Sequence, residues 1–384
     1  MKIAFSSGMG AVWGAYAPSV LESDDPKVTV GGGEAAMLNI AFALAARGHA
    51  VTVYYPGEDA SYRDVTFRSQ WVAYSQVGQP RRYDAVVSWS DQFVLKCCAP
   101  GVKRLFMQQL NDLHGPAGFL ESIDVLVSPS ITHLAFLQNY GRQQGRWRPG
   151  AVVPSGVDAA RYAGAPPYAA RRNVVSWWSS PDRGLHHLVL MWPAIRRAVP
   201  DAELHIFYHL DRFIRDLAEN LFFGEVAWRA RLLQQLRPTM TVANGVFIHG
   251  AVSRKELRRW QVQTKVLAMP FDPAVPTEGF GLSYLEGLAA GCYVIARPDD
   301  ALPELFGDAI QWIPSAICDE AFRARFATAV VDALQASVNP YAEMASRVVS
   351  KFTWERAAEA MEAALQVWLP GEMVASHGGV GHGE

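Results

Sequence analysis

An excess of one charge, long apolar runs and internal repeats are all missing from this 384-residue sequence, and each absence excludes a class of protein. Its 35 basic and 37 acidic residues give a net charge of −2, which provides no electrostatic basis for binding nucleic acid. No apolar run is long enough to span a bilayer, and no segment repeats at the period of a solenoid. We therefore expect neither a nucleic-acid-binding, nor a transmembrane, nor a repeat protein.

Cysteine is also scarce, and the four cysteines lack the spacing of a metal site. Cys97 and Cys98 are adjacent, whereas Cys292 and Cys318 lie singly in apolar surroundings. Buried, reduced thiols in a cytoplasmic protein are the preferred interpretation. The opening residues, MKIAFSS, predict a first strand and not a signal peptide, because glycine and polar residues follow at once.

Apolar residues are plentiful, at 50% of the chain against 19% charged residues, and they indicate large buried cores. The length is sufficient for two domains. In the first half, apolar runs at Lys2–Ser7 and Ala50–Tyr55 predict two strands around a helix that begins at 31–34 (GGGE) and ends near Gly48. This order predicts a βαβ unit in a parallel sheet. A glycine cluster at that place favours close approach to a phosphate or sugar over a plain flexible loop.

The most informative stretch follows the apolar run Lys265–Phe271, which predicts a buried strand. Residues 278–281 (EGFG) form the loop after it, and Leu282–Ala290 predicts a helix that ends at Gly291. Glycines in the loop let a ligand approach the backbone, and the free N–H groups of a helix start favour a phosphate.

Two carboxylates flank this predicted phosphate site, Glu278 on the loop and Glu286 in the helix. An ionised carboxylate only accepts hydrogen bonds, so both suit hydroxyl groups and not the phosphate itself. Sugar hydroxyls on one side and ribose hydroxyls on the other fit this pattern. An ordinary strand, loop and helix with a capping glutamate is the alternative, because two glutamates at this spacing also occur by chance.

Three motifs resemble the retaining glycosyltransferases of family 4. Residues 278–291 resemble the E-x7-E signature, residues 31–53 resemble the start of the N-terminal domain, and residues 154–158 resemble the "PxGVD" turn of that family. The resemblance implies an α/β GT-B fold, in which two Rossmann-like, doubly wound domains face each other across a cleft.

The expected domains follow from this resemblance and from a small, proline-containing stretch at 159–172 that predicts an interdomain linker. Residues 1–165 are expected to form an N-terminal acceptor domain and 166–350 a nucleotide-sugar domain. Residues 351–369 are expected to form a helix that crosses back to the N-terminal domain, and 370–384 a disordered tail.

The resemblance also implies roles for single residues. It assigns Glu278 to the donor sugar, Glu286 to the ribose of the nucleotide and Arg183, at the position of a family lysine, to the diphosphate. A surface charge at a helix start is the alternative for Arg183. The arginine that the family usually has in the preceding strand is missing here, and Trp177 and Trp178 lie near its place. Of the His-Asp pair that many relatives carry, only the aspartate is present, as Asp112.

The catalytic residues expected on this basis are Glu278, Arg183 and Asp112. The expected donor-binding residues are Gly32, Gly33, Ser180, Arg183, Gly250, Val252, Glu278, Gly279, Phe280, Gly281, Leu282, Ser283 and Glu286. The expected function is a retaining, hexosyltransferase-like enzyme that moves a sugar from a nucleotide-diphosphate-sugar donor to the hydroxyl of a glycan, a lipid-linked molecule or a small molecule.

No cofactor and no metal are expected, because Arg183 and helix N-termini supply positive charge and the sequence has no Asp-x-Asp motif. Two alternatives stay open: another GT-B enzyme, such as a nucleotide-sugar epimerase or a phosphorylase, and a non-catalytic sugar-nucleotide-binding module. The acceptor is expected to contact loops at 8–30 and 56–82. Arg63, Arg68, Arg81 and Arg82 there suit an anionic acceptor or a peripheral membrane contact, but scattered surface charge is the default.

Overall fold

The structure is a computed structural model that describes residues 1–7, 16–25, 30–89, 91–107, 119–143, 145, 147–219, 224–272 and 278–367. The chain divides into two compact units. Unit 1 comprises Met1–Ser19, Val30–Gly156 and Trp354–Glu384, and unit 2 comprises Val20–Thr29 and Val157–Thr353. Within the described residues, no helix combines the length and the apolar character needed to cross a membrane.

The strands of the described chain belong to two sheets. They are β1 (Lys2–Ser6), β2 (Ala50–Tyr55), β3 (Ala60–Tyr62), β4 (Val65–Ser69), β5 (Ala85–Trp89), β6 (Lys103–Met107), β7 (Val125–Ser128), β8 (Gly150–Val152), β9 (Val174–Trp177), β10 (Glu203–Ile206), β11 (Val246–Ile248), β12 (Val266–Met269), β13 (Tyr293–Ala296) and β14 (Gln311–Trp312).

The α-helices alternate with these strands over most of the described chain. They are α1 (Gly32–Ala46), α2 (Ala73–Val77), α3 (Gln92–Lys96), α4 (Ile131–Gln143), α5 (Leu185–Ala198), α6 (Leu210–Leu217), α7 (Gly224–Leu236), α8 (Arg254–Gln263), α9 (Leu282–Ala289), α10 (Leu302–Phe306), α11 (Glu320–Gln335), α12 (Ala342–Lys351) and α13 (Trp354–Leu365).

In unit 1 the described strands form one sheet in the order β3-β4-β2-β1-β5-β6-β7-β8, parallel except for the β3–β4 pair. The predicted βαβ unit is present as β1, α1 and β2, and Gly48 follows the helix end with φ +88°. Helix α13 belongs to this unit. Its Glu362 accepts hydrogen bonds from Arg47 at 2.7 Å and pairs with His49 at 2.9 Å.

The expectation of a loop over 56–82 is wrong, because β3, β4 and α2 lie there. Val65 and Phe67 are buried while the residues between and after them are more exposed, which is the alternation of an ordinary strand. Arg63 and Asp64 between β3 and β4 have φ +50° and +60°, as a two-residue hairpin turn with two left-handed residues requires.

In unit 2 the described strands form a parallel sheet in the order β11-β10-β9-β12-β13-β14. Strands β9 and β12 are buried at every residue, as expected of central parallel strands. The chain moves outward in one direction from β9 to β11 and in the other from β12 to β14. The order therefore reverses between β9 and β12, and the carboxyl ends of these two strands are where such sheets bind ligands.

The stretch 159–172, predicted as a linker, is packed within unit 2 and contains two short 3-10 turns, Ala159–Tyr162 and Tyr168–Ala170. Arg171 is buried there. Its guanidinium donates to the carbonyls of Thr264 and Ala290, each at 2.7 Å. These carbonyls lie at helix ends that lack partners within the helix, which explains why a polar segment is ordered here.

Candidate functional site

The candidate site lies where the sheet order of unit 2 reverses. The loop after β9 carries Ser180 and Arg183, and the loop after β12 leads to Glu278. The backbone N–H of Asp272, just past β12, donates to the carbonyl of Arg183 at 3.0 Å and joins the two loops. Adjacent parallel strands thus bring together two segments that are far apart in sequence.

Arg183 and Glu278 form an ion pair in this site. Their side chains are 21% and 10% exposed, so the pair is largely removed from solvent. Burial lowers the pKa of Arg183, but the carboxylates of Glu278 and Asp182 outweigh burial, and the net shift is upward. Arg183 therefore stays a cation, and Glu278 is its immediate counterion.

The backbone around this pair is also fixed. The N–H of Glu278 donates to the Asp300 carboxylate at 3.0 Å. Gly184 has φ +116°, and a Cβ there would come within 2.2 Å of the Pro270 carbonyl oxygen, so only glycine fits. The hydroxyl of Ser180 donates to the Asp182 carboxylate, which places Ser180 at the start of the same turn.

The second predicted carboxylate, Glu286, lies on α9 and is buried. It forms an ion pair with Arg254 and accepts a hydrogen bond from Gln261 Nε2 at 2.9 Å. Gln261 Oε1 in turn accepts from the hydroxyl of Tyr162 at 3.2 Å. Burial lowers the pKa of Arg254 and Glu286 raises it more, so the net shift is again upward.

Sequence reasoning missed Arg254, Gln261 and Tyr162. One signal was available for Arg254, because a serine followed three residues later by a glutamate is typical of a helix start. Ser253 does cap α8, and its Oγ accepts a 3.1 Å hydrogen bond from the Glu256 N–H. That cap puts Arg254 at the first position of α8, two residues after the expected donor-binding residue Val252. Each predicted glutamate is thus paired with one arginine.

Helix α9 begins at the glycine-rich loop, as predicted. Its N-cap is Gly281, with φ +84°, and Gly291 follows the helix end with φ +73°. The first turn is anchored to the end of β9, because Trp178 Nε1 donates to the Ser283 carbonyl at 3.1 Å and Ser283 Oγ donates to the Trp178 carbonyl at 3.4 Å. The first N–H groups of a helix have no partner inside the helix, so this turn can receive an anion.

Other predicted donor-binding residues lie in different surroundings. Phe280 is buried and packs edge-on against Phe306 and Phe352, with ring centroids 6.2 and 5.3 Å apart, and Leu282 packs against the same core. Gly250, with φ +76°, and Val252 are partly buried in the segment between β11 and α8, and Gly279 lies beside Phe280 in the loop.

Gly32 and Gly33 are the first residues of α1, in unit 1. The N–H of Gly31 before them donates to Glu34 Oε2 at 2.9 Å, which caps this helix start. Asp112 lies outside the described residues. Two of the four basic side chains proposed for an acceptor have partners within unit 1, since Arg68 pairs with Asp59, and Arg63 stacks on the Tyr62 ring at 5.5 Å. These contacts favour the default of ordinary surface charge.

A family model described as "Glycosyl transferases group 1" matches residues 174–336. This stretch contains both loops of the site, with Arg183, Arg254, Glu278 and Glu286. No curated protein sequence gives a significant match to the chain.

Several solved structures resemble the whole chain. Sucrose-phosphate synthase from Thermosynechococcus elongatus is 15% identical, with TM-score 0.61 over 94% of this chain and 98% of that one. Anabaena Alr3699/HepE, in complex with UDP-glucose, is 16% identical, with TM-score 0.64 over 96% and 100%. A glycosyltransferase from Rickettsia africae is 13% identical, with TM-score 0.61 over 98% and 99%. At these identities the likeness shows the fold alone, and it confirms the predicted α/β GT-B two-domain fold.

Proposed function

We propose that this protein is a glycosyltransferase that takes a sugar from a nucleotide-diphosphate-sugar donor and that unit 2 binds this donor. The observation that carries the proposal is the buried Arg183–Glu278 pair at the strand-order reversal, inside the stretch matched by the glycosyltransferase group 1 model. The structural neighbour in complex with UDP-glucose supports the donor class. The resemblance of residues 278–291 to the E-x7-E signature supports assignment to family 4.

The charge of the donor accounts for the position of Arg183. A diphosphate is an anion, and a guanidinium binds phosphate oxygens through paired hydrogen bonds. Arg183 and the first turn of α9 are the groups that would hold it. Once Arg183 turns to the diphosphate, the Glu278 carboxylate is released to accept hydrogen bonds from the sugar hydroxyls.

The proposed ligand of Glu286 is the ribose of the nucleotide, whose hydroxyl groups would donate hydrogen bonds to this carboxylate. Its ion pair with Arg254 and its hydrogen bond from Gln261 hold the carboxylate in place before the donor arrives. The half-buried segment 250–252, next to Arg254, would contact the base. Gly32 and Gly33 in unit 1 remain predicted donor contacts.

The transfer itself is proposed to retain the configuration of the sugar. The bond from the anomeric carbon to the phosphate oxygen breaks, and the acceptor oxygen forms the new bond on the same face. The departing phosphate takes the proton of the acceptor hydroxyl. Arg183 and the α9 start stabilise the negative charge that grows on this phosphate, so this grip uses no metal. Asp112 remains a predicted assistant in catalysis.

A thermal-shift screen with UDP-, GDP-, ADP- and TDP-sugars tests the proposed donor. Ligand binding to the folded state stabilises a protein by about 2.7 kcal/mol at 100 times the Kd. We expect one of these donors to raise the Tm of the wild-type protein and to do so much less in Arg183→Ala. No shift with any donor, or equal shifts in both proteins, would contradict donor binding at this site.

Proton NMR of the first product then tests retention. An α-linked donor should give an α-linked product, and a β-linked product would contradict the proposed mechanism. Donor binding without hydrolysis or transfer would instead identify the protein as a sugar-nucleotide-binding module.

A further inference from the structure

A second polar cluster lies next to the candidate site. Two of its residues are at the start of α5, and the third follows β12. His187 Nε2 is 2.9 Å from Asp272 Oδ2, and His186 Nε2 is 3.9 Å from the same oxygen. The three potential ligand atoms all lie within 4.8 Å of one another. Adjacent helical residues do not normally face a common point, yet these two rings have centroids only 4.0 Å apart.

The histidine nitrogens in this cluster are poorly satisfied. Both ring nitrogens of His186 and Nδ1 of His187 are buried and lack a hydrogen-bond partner among the described residues. The His186 side chain is 1% exposed. Most buried polar groups in proteins are hydrogen-bonded, and a bound ion is one of the explanations for those that are not.

We propose that His186, His187 and Asp272 bind a divalent transition-metal ion, with Zn²⁺ as the first candidate. Neutral imidazole nitrogen and carboxylate oxygen are ordinary zinc ligands. Zinc bonds to nitrogen and oxygen are about 2.0 Å long, so two ligand atoms in a tetrahedral site lie about 3.3 Å apart. The distances from Asp272 Oδ2 to Nε2 of His187 and of His186, 2.9 and 3.9 Å, lie on either side of that value. The Asp272 side chain is 26% exposed, which leaves room for water in the fourth position.

Two arginines also approach Asp272. Arg229 Nη2 is 3.6 Å from Oδ2, and Arg297 Nη1 is 3.8 Å from Oδ1. Each has a carboxylate of its own, Glu225 at 3.0 Å and Asp299 at 2.9 Å. The charge of a third arginine, Arg323, also reaches His186. Three arginines against three carboxylates leave these surroundings neutral, so they add no net repulsion to a bound divalent cation.

The same cluster sets a limit on affinity. Metal-ligating histidines usually donate their second ring N–H to a partner, and such outer bonds contribute about 10–100-fold to affinity. Nδ1 of His186 and His187 has no such partner among the described residues. We therefore expect weaker binding than in a fully supported zinc site.

The position of the ion gives it a structural role. His186 and His187 directly follow the loop of Arg183, and the Asp272 N–H bonds the Arg183 carbonyl at 3.0 Å. A metal ion would cross-link the segments after β9 and β12 and hold the Arg183 loop in place. All three ligands come from the protein, so this ion is separate from the metal-free grip proposed for the diphosphate.

Metal uptake by the full-length protein tests this site directly. Metal-free protein is titrated with Co²⁺, followed by its visible absorption, and then with Zn²⁺, counted by mass spectrometry after gel filtration. We expect one metal ion bound per wild-type chain, more weakly than in a fully supported zinc site, and at least a tenfold loss of affinity in His186→Gln. His49→Gln is the matched control, because His49 also contacts a carboxylate, at 2.9 Å, but has no second histidine beside it.

Failure of the wild-type protein to bind either ion would overturn the proposal, as would equal binding by wild type and the His186→Gln, His187→Gln double variant. Histidines elsewhere in the chain give the same background in every variant. Should the double variant fail to fold, His186→Gln decides alone, because the His186 side chain makes no hydrogen bond among the described residues. The result does not depend on the proposed function, since no donor is present.

Discussion

The guanidinium of Arg183 and the carboxylate of Glu278 contact each other although they lie 95 positions apart in the sequence. They meet because β9 and β12 are neighbours in the sheet of unit 2 and each residue follows the carboxyl end of its strand. An anionic ligand that binds the guanidinium of Arg183 must therefore compete with the carboxylate of Glu278 for it. The two residues should act together on donor binding and not independently.

The first prediction concerns this competition. Arg183→Ala should weaken nucleotide-diphosphate binding by about 10–100-fold, because charge-assisted hydrogen bonds contribute roughly 1.5–3 kcal/mol. Glu278→Gln should bind the nucleotide diphosphate as tightly as the wild type or more tightly, since it releases Arg183, but its sugar transfer should fall at least tenfold. Calorimetric titration of both variants and of the double variant checks this.

The matched control for this experiment is the exposed Arg347–Glu343 pair, whose side chains are 64% and 72% exposed. Arg347→Ala and Glu343→Gln should change neither affinity nor transfer. Full transfer activity in Glu278→Gln would remove the assigned role of this carboxylate.

The second prediction concerns Arg254. Arg254→Met leaves Glu286, which is 5% exposed, without its ion-pair partner. Breaking a buried ion pair from one side costs about 3–5 kcal/mol, so the free energy of unfolding in urea should fall by roughly that amount. The double variant Arg254→Met, Glu286→Gln should recover part of the loss, because no buried charge is left unpaired. A loss below 0.5 kcal/mol, as expected for an exposed pair, would show that the pair is not buried in solution.

The third prediction concerns Gly184. Its φ is +116° and an added Cβ would meet the Pro270 carbonyl oxygen at 2.2 Å. Gly164 has a similar left-handed φ, +83°, but nothing lies within 4 Å of its Cβ position. Gly164→Ala should cost only the backbone strain, about 1–2 kcal/mol, and Gly184→Ala a further 1–3 kcal/mol or so for crowding. Equal losses in urea unfolding would contradict the tight approach of the two loops.

The fourth prediction concerns pH and Glu362, on α13. A hydrogen bond from Arg47, and to a smaller extent one from His49, lowers the pKa of this carboxyl from 4.5 to about 2. The stabilisation is therefore complete above pH 4.5 and is lost as the pH falls through about 2. The pair is partly exposed, so Glu362→Gln should cost at most about 1 kcal/mol at pH 7. This difference from the wild type should shrink below pH 4.5 and be mostly lost at about pH 2.

Glu359→Gln is the control for this fourth prediction. Glu359 lies on the same helix, is 58% exposed and is 3.5 Å from Arg47. Glu359→Gln should lower the free energy of unfolding at pH 7 by less than Glu362→Gln does. A cost of Glu362→Gln that stays constant from pH 7 to pH 2 would contradict the lowered pKa.

Much of unit 2 could be predicted from the sequence because its elements are long or bounded by glycine. The apolar run Lys265–Phe271 predicted strand β12, and the glycines at 281 and 291 marked both ends of α9. The alternation of strands and helices along the sequence was sufficient to predict that the sheets are parallel. These features depend on neighbours in sequence, which is why a single sequence reveals them.

The side-chain pairings of the site could not be predicted, because they depend on which strands become neighbours. Nothing local in the sequence pairs Glu286 with Arg254 or joins Gln261 to Tyr162. The packing of the Phe280 ring against Phe306 and Phe352 also depends on distant neighbours, since a large apolar side chain in a tight loop is more stable in the core. The donor contact expected of Phe280 stays a prediction. The short strands β3 and β4 were missed for lack of length.

Release of nucleoside diphosphate from the four candidate donors tests the central claim most directly. The account predicts that the wild-type protein cleaves at least one donor, that Arg183→Ala and Glu278→Gln each reduce the rate at least tenfold, and that Arg347→Ala does not. Cleavage of no donor by the wild type, or equal rates in all four proteins, would contradict it.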